Sequence, residues 1–173
     1  MPKQPAVTQI EFPTFSTVAG KETGHYYRDT FAFDTCQSSD LNATKVYHAI
    51  FGYLPKTVVY AMKVRNSIVK WLGFSTAGTE IALPIEEIKQ GNKAGFLTIE
   101  TVTPNEVVTF ASEKNMDIWL SVLEVTPGQY AISSLVNLKT RMGRAYMVII
   151  KPFHKIIARY CIVQALKTQR IPN

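Results

Sequence analysis

Residues 95–138, GFLTIETVTPNEVVTFASEKNMDIWLSVLEVTPGQYAISSLVNL, decide the fold. Four runs rich in β-branched and aromatic residues, at about 95–102, 106–112, 116–125 and 129–138, are separated by short polar breaks. Pro104-Asn105 and Pro127-Gly128 read as tight turns, because proline presets φ and Asn or Gly accepts left-handed φ. Connections this short join antiparallel neighbours, so the stretch predicts a meander. A further strand is expected at about 79–83. From about Thr140 the period becomes helical, through Met142, Ala145, Tyr146, Ile149, Ile150 and Phe153 to Leu166. Pro152 lies inside that run and is expected to kink the helix or divide it into two segments.

Upstream, Tyr27, Asp29, Phe31 and Phe33 alternate with Tyr26, Arg28, Thr30 and Ala32, which predicts a half-buried strand over 26–33. Ser38, Ser39, Asp40 and Asn42 are helix-starting residues, and Val46, Ala49, Ile50 and Tyr53 follow at helical spacing. Pro55 suits the start of a second helix at about 56–72, with an apolar stripe of Val58, Val59, Met62, Val69 and Leu72, and with Gly73 as its stop. Residues 1–24, with Pro2, Pro5, Pro13, Gly20 and Gly24, read as an irregular lead-in to a single domain over 1–173. Strands in succession with helices segregated from them make an α+β fold. A curved antiparallel sheet with the long C-terminal helix laid on its concave face is the compact solution. That is the helix-grip arrangement of the START and Bet v 1-like superfamily, which implies a ligand cavity between helix and sheet.

Composition bounds the function. A hydrophobic fraction of 46% and a charged fraction of 18% fit a globular chain. The opening MPKQPAVTQIEF has no continuous apolar stretch behind Lys3, so no secretory signal is expected. Cys36 and Cys161 form no CxxC and lie near no histidine pair, so no metal site or cofactor is expected. Both thiols are read as reduced and packed, and the location as cytoplasmic. After Glu124 there is no acidic residue, while the last 49 residues carry Lys139, Arg141, Arg144, Lys151, Lys155, Arg159, Lys167 and Arg170. A cationic terminal helix can meet an anionic ligand, surface or partner. No helix-turn-helix, zinc-finger or RNP-type motif accompanies it, so no specific nucleic acid is expected. A membrane surface is a weaker candidate, on the ground that a helix covering its own sheet cannot bury that face in lipid.

YYRDTFAF at 26–33, FGYLPKTVVYAMKVRNSIVKWLGF at 51–74 and VNLKTRMGRAYMVIIKPFHKIIAR at 136–159 resemble a bacterial family, domain of unknown function 2867. The most specific pieces are Arg65-Asn66 and the series Gly143-Arg144-x-Tyr146…Pro152-Phe153-His154. KNMDIWLSV at 114–122 is similar to the family's characteristic strand, with Asn115 and Trp119 where a histidine and an arginine are expected. No polar function of that strand therefore carries over. The family occurs alone and behind short-chain-dehydrogenase-like domains, and the resemblance implies a fold but no activity.

Among the residues themselves, Asp29 shares a strand face with aromatics and needs a partner if buried. Arg65, with Asn66 between Met62 and Val69, is the expected partner, either as a structural ion pair or as the polar anchor of a pocket. Arg141 and Arg144, near a helix start, are candidate anion contacts. Phe31, Trp119, Tyr146 and His154 complete the candidate ligand-binding set, with Phe96, Phe110 and Tyr130 as further aromatics able to line or fill a cavity. Glu86, Glu87, Glu100 and Glu106 read as solvent-facing. No catalytic grouping is visible, and Asp29 with His154 is the one pair worth inspecting. The expected function is non-covalent binding of a hydrophobic or amphipathic small molecule, with or without an acidic group. The alternatives are an interaction module docking its basic helix on an acidic protein, and an enzyme acting on a buried substrate.

Overall fold

In the computed structural model of the chain the described residues are 6–36, 40–71 and 80–172. Ser38, Ser39, Leu72 and Gly73, assigned above to helix ends, lie outside them. The elements run β1 (Val7–Gln9), β2 (Tyr26–Asp34), α1 (Ala43–Phe51), α2 (Lys56–Trp71), a 3₁₀ turn (Ile85–Glu87), β3 (Lys93–Ala94), β4 (Leu97–Val102), β5 (Glu106–Ser112), β6 (Met116–Thr126), β7 (Gln129–Leu138) and α3 (Arg141–Lys167). All strand pairs are antiparallel, in the order β1-β2-β7-β6-β5-β4-β3. Register shifts between Ile99 and Thr101 and between Glu124 and Thr126 add bend and twist to the sheet. The result is an open, curved α+β sheet with a long C-terminal helix, consistent with a helix-grip-like fold.

Three expectations are corrected. Residues 80–83 form no strand; the expected edge is instead the two-residue β3, turned onto β4 through Gly95 at φ 64°. The lead-in is not wholly irregular, because Val7–Gln9 pairs with Phe31–Phe33 as an edge strand. Pro152 does not divide α3, which runs unbroken over 27 residues. Pro152 and Val148, four residues before it, both point to solvent, where water can take the carbonyl that lost its donor.

The sheet has two covered faces. Tyr27, Phe31, Phe33, Ile132 and Val136 face the helices. On the opposite face Val18 of the lead-in packs on Val108, Trp119 and Leu135. Glu106 was expected in solvent but is only 4% exposed beneath that strap. Its carboxylate accepts from the Ser16 hydroxyl at 2.6 Å, the Ser121 hydroxyl at 2.7 Å and the Thr17 backbone N–H at 3.0 Å. Buried charge is tolerated there because three donors replace water.

The start of α3 is clamped to the β5–β6 hairpin. Thr140 caps it, accepting from the Gly143 N–H at 3.0 Å and donating to Asn115 Oδ1 at 2.7 Å. Gly143 is needed for close approach: a Cβ there would lie 2.5 Å from the Asn115 carbonyl oxygen. Gly143→Ala should therefore cost about 1–3 kcal/mol in urea unfolding, as overpacking against backbone does. Gly24→Ala, whose Cβ would meet nothing within 4 Å, should stay within about 0.5 kcal/mol of the parent.

Candidate functional site

Helix α3 buries residues at its two ends only. Gly143, Tyr146 and Met147 are buried at the start, Cys161, Ile162, Ala165 and Leu166 near the end, and none between. The first group packs with Tyr27, Val69, Met116 and Val136, the second with α1 and the aromatic core around Phe33. Between these two cores the helix stands off the sheet over a cavity of about 560 Å³. Its floor is Ile118, Leu120, Ile132, Ser134 and Val136 from β6 and β7. Its roof is Ile150, His154, Ile157 and Ala158 of α3, and α2 closes one side with Ala61, Val64, Arg65 and Ile68. The cavity opens between α2 and α3, where Tyr60, Val64, Ile149 and Phe153 are exposed.

The wall is apolar with a few polar groups. His154 is the link to a buried pair on β2. The Tyr27 hydroxyl donates to Asp29 Oδ2 at 2.6 Å, and His154 Nδ1 stands 3.7 Å from the same oxygen, too far for a hydrogen bond. Asp29 Oδ1 and His154 Nδ1 have no hydrogen-bond partner among the described residues. Burial lowers the His154 pKa, the Asp29 charge opposes this, and Lys155 adds to it. The imidazole is therefore neutral at neutral pH and able to accept from or donate to a ligand. Burial, and then Asp29, raise the Tyr27 pKa, so this phenol remains a donor. Burial pushes the Cys161 thiol up to about 11, so it is no thiolate nucleophile.

The expected Asp29–Arg65 pair does not form. Asp29 finds a partner for one of its oxygens on its own strand, and α2 places Arg65 beside α3 instead. There Arg65 Nε donates to the Tyr146 hydroxyl at 2.9 Å and Nη1 to Asn66 Oδ1 at 3.0 Å, with the guanidinium 5.5 Å from the Tyr146 ring centre. Arg65, Tyr146 and His154 all line the cavity. Asn66 borders a second hollow, of about 490 Å³, on the other side of α2. Phe31 is buried in the core beside the cavity.

Trp119 borders the cavity, but strand alternation turns its ring to the opposite face, 4.7 Å from the Phe110 ring centre and packed with Val18. Of the other aromatics, Phe96 lines the cavity, while Tyr130 stacks on Phe33 in the core. Arg141 is exposed and Arg144 meets the His25 ring at 2.9 Å, and neither lines the cavity. Both cysteines are free, with Cys161 packed and Cys36 exposed rather than packed. Sequence reading missed the floor residues, although they share the parity of Tyr27 and Phe31 once β2 is paired with β7.

Residues 22–161 match the family described as Protein of unknown function (DUF2867). The chain belongs to this family. No curated protein and no solved structure matches it. The DUF2867 match spans β2 to Cys161 and so takes in both helices at the cavity mouth, whereas the strap from residue 6 to 21 lies outside it. Among the described residues no helix is long and apolar enough to cross a membrane, and no cluster of His, Cys, Asp or Glu could hold a metal.

Because the folded His154 resists protonation, the unfolded chain binds a proton first as pH falls below about 6.5. Stability present above that pH is then lost, by up to about 1.4 kcal/mol per pH unit, until the folded pKa is reached. His154→Gln should flatten the dependence of the urea midpoint on pH between about 6.5 and 5. An unchanged slope would mean that the imidazole is already charged in the folded domain.

Proposed function

We propose that this domain binds a small amphipathic molecule non-covalently, its apolar body in the sheet–helix cavity and an anionic group at Arg65. One observation carries the reading: among the described residues, those lining a cavity of about 560 Å³ include no carboxylate and a single permanent charge, Arg65. That volume falls within the usual range of about 300–1,000 Å³ for small-molecule sites. Apolar walls would supply affinity through burial, at roughly 25 cal/mol per Å². The guanidinium would fix orientation, since it already lies against Tyr146 and keeps donors free beyond its bonds to Tyr146 and Asn66. His154 offers a second, neutral contact for a hydroxyl or carbonyl further along the ligand.

A fluorescent fatty acid and its matched fatty alcohol test both halves of this reading. Both should bind the parent protein. Arg65→Met should weaken the acid by about tenfold or more while leaving the alcohol unchanged, because it removes a charge-assisted contact. Ala158→Phe, which fills the cavity from α3, should abolish binding of both while circular dichroism remains that of the parent. A parent protein that takes up neither probe would sink the proposal.

A further inference from the structure

We infer that the α2–α3 face of this domain docks on an anionic lipid bilayer, with the cavity mouth against the membrane. This inference rests on the surface of the two helices and not on what occupies the cavity. Neither Lys56–Trp71 nor Arg141–Lys167 contains a carboxylate. On α2, Lys56, Lys63 and Lys70 recur every seven residues and form one row. On α3, Lys151, Lys155 and Arg159 form another. Among the described residues none of these six makes an ion pair. Between the rows the surface is apolar: Tyr60 is 69% exposed, Ile68 46%, Phe153 59% and Ile156 67%.

The objection that α3 must spend its apolar face on its own sheet does not hold for this helix. Tyr146, Met147, Cys161 and Ile162 cover the sheet, whereas Ile149, Phe153 and Ile156 recur at helical spacing on a separate, exposed face. Exposed apolar residues flanked by cations match a bilayer's two layers. Lysine and arginine reach the anionic headgroups, and the apolar ridge enters the acyl boundary beneath them. A second copy of the chain is a poorer occupant, because a two-fold contact would set cation rows against cation rows. An acidic protein would satisfy the charges, but only the bilayer also offers an apolar layer continuous with the cavity mouth.

The test is co-sedimentation of the full chain with phosphatidylcholine vesicles, with and without one-third phosphatidylglycerol. Binding is expected to the anionic vesicles only and to weaken as salt rises. Lys63→Glu with Lys155→Glu should lower that binding at least tenfold, and Ile156→Ser should lower it severalfold, while both proteins keep the fatty-alcohol affinity of the parent. Ala158→Phe should still sediment, which separates a failed docking surface from a failed cavity. Equal binding to both vesicle types, or none, would overturn the inference. So would a self-associated chain that becomes monomeric on charge reversal without ever binding vesicles.

Discussion

A helix laid on a curved sheet cannot touch it everywhere, and the rest of this domain follows from where α3 makes contact. Twenty-seven residues span about 40 Å, and the helix buries side chains only towards its two ends. The start is held by Thr140, Asn115 and the absent side chain of Gly143. The last turns are held by Ile162, Ala165 and Leu166 against α1 and the aromatic end of β2. With both ends tied, the middle bridges a hollow, and α2 closes its flank instead of a second sheet. Pro152 falls within that bridging stretch, on the solvent side. A residue that removes a hydrogen bond is tolerated there because it and Val148, four residues before it, lie on the face that meets water.

The fold was largely legible because its signals are local. Pro104-Asn105 and Pro127-Gly128 fix the hairpins, and the change of period at Thr140 marks α3 within a residue of its cap. The failures share a different cause. Ile81 and Leu83 alternate like a strand, yet pairing depends on a neighbour that sequence spacing cannot supply. Glu106 looked like a solvent carboxylate because its three donors lie 89 residues upstream, 90 residues upstream and one strand away. The Trp119 ring lies on the sheet face opposite the helices, which spacing along β6 alone does not reveal. The face it occupies is decided by the pairing of β6 with β7, and the lead-in that covers it reads as unstructured chain.

The candidate site was legible as a set of residue types and not as a set of pairs. Asp29 was rightly marked as a carboxylate in an aromatic row, but Arg65 is not its partner. A hydroxyl two residues along the same strand satisfies one of its oxygens, while α3 brings His154 near from the other side. Arg65 is thereby released to line the cavity, held by Tyr146 and Asn66. That exchange changes the electrostatics. A neutralised Asp29–Arg65 pair would have left the cavity without net charge, whereas the observed arrangement puts a cation on the wall and a shielded carboxylate behind a neutral imidazole.

This separation favours binding over catalysis as the use of the polar groups. Acid–base work needs a proton donor and acceptor converging on one reacting atom, with pKa values matched to the task. Here His154 is the titratable group with a lowered pKa on the wall, Asp29 is hidden behind it at 1% exposure, and the Cys161 thiol is held protonated. Arg65 is fixed by bonds that orient it toward the Tyr146 side of the hollow, where it can neutralise a ligand charge but not relay a proton. On the proposed reading, a cavity with one oriented cation, one neutral hydrogen-bonding ring and largely apolar walls would distinguish ligands by length and head group. The acid-free helices continue that sign of charge from the wall to the outer surface, so the ligand anion proposed above would meet favourable potential on its way inward.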